Sequence, residues 1–174
     1  MLLTKQQEFM LDVLHRLGCI RTEQLAVLLR QKFAISTQEA AERITHAALQ
    51  QLKHCHTALR TEQDIVYFTG WGIEPDRLEA ISVMLELVGD ALFDFTAEMP
   101  PVLLRFLVEQ PKPTAFAVVK NNHSILSPHF FPVEKVIILL HECERPAAFP
   151  ISNTQIFAVK QDCGTYRFLT RKTK

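Results

Sequence analysis

The chain predicts an α+β fold: an N-terminal winged helix-turn-helix, then a small C-terminal domain with a four- to five-stranded sheet and one or two helices. Three observations carry that expectation. Capped helical patterns fill residues 4–53, a short hairpin pattern runs to Gly70, and beyond Pro101 the apolar period becomes strand-like.

The first helix opens at Thr4-Lys5-Gln6-Gln7, a capping box in which each side chain satisfies a backbone donor of the first turn. Phe9, Met10, Val13, Leu14 and Leu17 then follow at three- and four-residue steps, and Gly18 is the expected C-cap. Cys19 and Ile20 form an extended link or a small strand. Thr22 is the expected N-cap of the second helix, with Glu23 in its positive first turn and Leu25, Leu28 and Leu29 as its core stripe.

Ser36-Thr37-Gln38-Glu39 reads as a second capping box, so the third helix is expected from about Thr37 to Lys53. Its apolar side gathers Ala41, Ile44, Ala48, Leu49 and Leu52; its polar side gathers Glu39, Glu42, Arg43, His46, Gln50 and Lys53. Residues 57–61 and 65–69 are β-branched and aromatic around Glu62-Gln63-Asp64, the expected wing and its acidic loop.

Gly70-Trp71-Gly72-Ile73-Glu74-Pro75 punctuates the chain. It divides a winged-helix domain, 1–70, from a small α+β domain, 71–174, read as a reduced endonuclease-like sheet. A helix is expected from Asp76 to about Leu92, strands over 102–109, 114–120, 135–141, 155–160 and 165–170, and a short helix within 124–131.

Composition narrows the function classes. Apolar residues make up 48% of the chain and charged residues 22%, as in ordinary globular proteins, and the formal net charge is zero, which argues against a general polyanion binder. No apolar run is long enough to span a bilayer and no signal pattern opens the chain, so a cytoplasmic protein is expected. The four cysteines form no CxxC pair; His54-Cys55-His56 and His141-x-Cys143 supply too few convergent ligands, so no metal and no cofactor is expected.

No phosphate loop, GxSxG or HExxH occurs. Lys120 ends a strand as the lysine of a metal-dependent nuclease would, but Val118 stands where that chemistry needs an acid. The sequence therefore points away from an enzyme and names no catalytic residue, with a divergent metal-dependent nuclease as the remaining alternative.

The layout carries a resemblance. Thr4-Lys5-Gln6-Gln7, the turn Gly18-Cys19-Ile20-Arg21-Thr22-Glu23-Gln24-Leu25, the wing ending at Gly70, the strand at 135–140, Pro150-Ile151-Ser152-Asn153-Thr154 and the hairpin at Asp162-Cys163-Gly164 are similar to a family of uncharacterised bacterial winged-helix proteins of conjugative and other mobile elements. That family resembles in layout the replication-relaxation proteins of plasmids, which join a winged helix to a small endonuclease-like domain. The resemblance implies a role in replication, transfer or gene control, and carries no functional residue with it.

The expected activity is double-stranded DNA binding by an accessory or regulatory protein, through Gln38, Arg43, His46, Gln50 and Lys53 of the third helix and Arg60 of the wing. The C-terminal domain would hold a second copy or another protein. Residues 1–70 hold eight Lys or Arg against seven Asp or Glu, so phosphate attraction is weak. The competing expectation is a protein-interaction module of the same shape that does not touch DNA, favoured by Glu39, Glu42, Glu62 and Asp64.

Overall fold

A computed structural model of the chain describes residues 2–109, 111–121, 133–141, 144 and 154–171. The expected helix within 124–131, Cys143, and the segment 150–153 lie outside them. The chain groups into two compact units, Met1–Ile81 and Ser82–Lys174.

The first unit runs α1 (Lys5–Leu17), β1 (Cys19–Arg21), α2 (Thr22–Phe33), α3 (Gln38–Cys55), β2 (Leu59–Glu62) and β3 (Ile65–Phe68). Thr4 caps α1 as its sequence predicts: Gln7 N–H donates to Thr4 Oγ1 at 3.2 Å and Thr4 N–H donates to Gln7 Oε1 at 2.9 Å. Gly18 ends α1 at φ 77°, with Trp71 Cε3 only 2.6 Å from where a Cβ would stand. Buried Arg77 closes the same corner. Its Nη1 donates to Leu17 O at 3.3 Å and pairs with Glu74 Oε1 at 2.9 Å.

Two caps differ from expectation. Helix α2 is capped at Arg21, whose N–H donates to Gln24 Oε1, because Thr22 is drawn off to the hairpin: its N–H and hydroxyl both donate to Asp64 O, at 2.7 and 2.9 Å. Helix α3 is capped by Thr37 alone, which accepts from Ala40 N–H.

Strands β2 and β3 meet through Gln63 and Asp64, both at positive φ (45° and 65°), with Glu62 opposite Ile65. That is a two-residue turn of the primed type, whose twist suits a hairpin. Strand β1 pairs with the far side of β3, giving a three-stranded antiparallel sheet in the order β1-β3-β2.

Helix α4 (Pro75–Val88) follows, then a 3-10 turn, β4 (Leu92–Ala97), β5 (Val102–Val108), β6 (Thr114–Lys120), β7 (Lys135–Leu140), β8 (Thr154–Lys160) and β9 (Tyr166–Arg171). The strands form one six-stranded sheet in sequence order; β6-β7-β8 run parallel and the other pairs antiparallel. Residues on both faces of β6, β7 and β8 are buried: Ala117, Val119, Val136, Ile138 and Phe157 share one cluster, while Val118, Ile137 and Ile156 alternate to the other side. Phe106 and Phe116 stack on that other side at 4.8 Å, with Lys135 Nζ 5.2 Å from the Phe116 ring. Glu134 takes Ala115 N–H at 2.7 Å, a bond that holds its carboxyl below the ordinary range.

The expected fold class is therefore corrected. The chain is α+β with four helices, a three-stranded sheet and a large six-stranded mixed sheet, rather than a winged unit with a small four- or five-stranded domain. The extra strand is β4. The sequence pattern carried the preceding helix on to Leu92, but Gly89, at φ 50°, stops it near Val88 and releases residues 92–97 to pair with β5. The hairpin, in turn, is widened by β1.

Candidate nucleic-acid interface

Helix α3 has 18 residues and buries Ala41, Thr45, Ala48, Leu49 and Leu52. Thr45 takes the place expected of Ile44 in that seam, and Ile44 is half-buried. At about 100° per residue the direction opposite the seam is occupied by Arg43, Ala47, Gln50 and His54, all within an arc of about 60°. All four are exposed.

The six residues expected to contact DNA are not equivalent. Arg43, His46, Gln50 and Lys53 are exposed on α3. Arg43 makes one long bond, Nε to Glu39 O at 3.4 Å, along its own helix. Gln38 is half-buried and gives its amide to Glu42 Oε1 at 3.1 Å. Arg60 folds back on its own loop, Nη1 donating to Thr57 O at 2.6 Å and Leu59 O at 3.2 Å, so its guanidinium braces the start of the hairpin.

Beside the outward stripe lies a cleft of about 350 Å³. The start of α2 gives it Arg21 and Glu23, α3 gives Glu42 and His46, and the hairpin turn gives Gln63 and Asp64. The two bonds from Thr22 to Asp64 O hold the turn against α2, and acidic residues from three elements, Glu23, Glu42 and Asp64, line the one cleft. Their distances in sequence, 19 residues from Glu23 to Glu42 and 22 from Glu42 to Asp64, hid this grouping. Ala47 and His54 were also missed: alanine carries no polar signal, and His54 was weighed only as a metal ligand.

The six-stranded sheet offers less chemistry. Val118, two residues before Lys120, is fully buried between β5 and β7, so the apolar core occupies the position an acid would need. Among the described residues no group of three or more His, Cys, Asp or Glu can hold a metal ion. Cys163, exposed in the β8–β9 turn, bonds Thr165 Oγ1 at 3.0 Å, which lowers its thiol pKa; burial raises that of Cys19. No described helix is long and apolar enough to cross a membrane.

No protein-family model, no curated protein and no solved structure matches the chain.

Proposed function

We propose that the chain contacts double-stranded DNA through the outward face of α3, with the β2–β3 hairpin alongside, as a cytoplasmic accessory or regulatory protein of a bacterial mobile element. The observation that carries this reading is the outward row itself. Arg43, His46, Gln50 and Lys53 stand exposed on one helix, and among the described residues His46, Gln50 and Lys53 make no hydrogen bond or ion pair. Arginine and glutamine make paired bonds to base edges, while lysine neutralises phosphate. The mobile-element setting rests on the resemblance in layout. In the same proposal the unit Ser82–Lys174 holds a second copy or a partner, so that two weakly charged modules bind with avidity.

Binding is tested by mobility shift of the full chain on duplex fragments at low and then higher salt. Wild type is expected to bind at low salt and weaken as salt rises. Arg43→Ala with Lys53→Ala is expected to lose roughly tenfold or more. No shift at the lowest salt overturns the proposal.

A second reading has its own observation. The cleft lined by Glu23, Glu42 and Asp64 favours a protein-interaction module with no DNA contact, because fixed carboxylates repel phosphate. It predicts no duplex binding at any salt.

A further inference from the structure

Resting on that DNA reading, we infer that α3 selects a particular base pattern: a guanine read by Arg43 and an adenine read by Gln50, about three base pairs apart in one major groove. Arg43 and Gln50 are seven residues apart, so their directions differ by only about 20° and their separation along the axis is about 10 Å. Base pairs stack at roughly 3.4 Å, so that span covers about three of them. The two side chains therefore reach one groove floor together, where His46 and Lys53 flank to the side.

The side-chain chemistry narrows the bases. A guanidinium donates two parallel bonds and fits the two acceptors of guanine. A carboxamide donates one and accepts one, which fits adenine. Between them stands Ala47, exposed and small, so the helix backbone can approach the groove floor; its methyl suits contact with a thymine methyl. Among the described residues neither reading side chain braces another element: Arg43 bonds its own helix, and Gln50 bonds nothing. His46 is set apart by position, since it borders the cleft with Glu42, and Lys53 is a point charge suited to phosphate.

The test is selection of preferred sites from a random duplex library by the full chain, followed by affinity measurements on the selected site and its single-base changes. Wild type is expected to enrich a guanine and an adenine two to four base pairs apart. Gln50→Ala is expected to relax preference at the adenine alone and Arg43→Ala at the guanine alone, each losing roughly 5- to 150-fold on the selected site. Both positions are exposed, and unchanged thermal melts confirm that each variant is folded. If wild type binds DNA but the two variants weaken every sequence equally, the base assignment is wrong while the DNA reading stands. Relaxed positions adjacent to each other, or a full turn apart, also overturn it. If wild type binds no duplex, the DNA reading itself falls.

Discussion

Helix α3 and the parallel strands β6–β8 use their side chains in opposite ways. From Ala117 to Val119 and from Val136 to Leu140 every side chain is buried, whichever way the strand turns it. Along α3 only one seam is buried; the opposite face carries Arg43 and Gln50 outward, and Lys53 stands exposed on its flank. The sheet spends its residues on stability, whereas the helix holds a set of polar groups in reserve. Function is therefore sought on α3, and the sheet is expected to fail by unfolding rather than by losing a contact.

The sharpest way to break the comparison is a charge in the sheet. Val118→Asp places a carboxylate between β5 and β7 at a position with no exposed surface. An unpaired buried charge costs several kcal/mol, and a loss of more than about 4 kcal/mol is expected, enough to unfold a marginal unit. Circular dichroism against urea reads it. Retention of a wild-type midpoint would mean that water reaches Val118, and the view of the sheet as a two-sided core would be wrong.

A second substitution strikes the scaffold that carries α3. Gly18→Ala forces a Cβ into left-handed backbone at φ 77° and to 2.6 Å from Trp71 Cε3. The backbone strain contributes about 1 kcal/mol and the crowding about 1–3 kcal/mol, less whatever the half-exposed Trp71 recovers by moving. A net loss of about 2 kcal/mol is expected, with a shift in the fluorescence of the chain's single tryptophan. Loss of stability with an unchanged emission spectrum would show that Trp71 does not cover Gly18.

How much of this could be read in advance follows the same division. The Thr4–Gln7 box and the Gly18 cap depend on residues within a few positions of each other, and local patterns report them faithfully, whereas the start of α3 falls one residue later than the expected Ser36 box, at Thr37. The seam of α3 was legible from its period except at one place: Thr45 is buried although it carries a hydroxyl. Strand β4 was not legible. Asp94 interrupts its apolar residues, Phe93 falls at an irregularity in the register, and only pairing with β5 gives the segment its form. The acidic cleft was hidden for a similar reason, since Glu23, Glu42 and Asp64 come from α2, α3 and the hairpin turn and line one cleft only once the unit is folded. Arg60 looked like a free cation because its bonds run to carbonyls, which leave no mark in a sequence.

The smallest expected effect decides the most. Arg43, Gln50 and Lys53 all lie exposed, and among the described residues only Arg43 shows a bond, a long one within its own helix. Replacing all three with alanine removes no buried packing and substitutes the best helix former at three positions, which offsets the loss of the Lys53 charge in the last turn, so stability should change by no more than about 1 kcal/mol in either direction. Chemical denaturation of the triple variant beside wild type measures this. A larger loss would mean that the row is part of the scaffold, and any accompanying loss of DNA binding would then be only a consequence of misfolding. An unchanged midpoint together with lost binding separates recognition from stability, because a face that contributes nothing to folding is free to be shaped by what it touches.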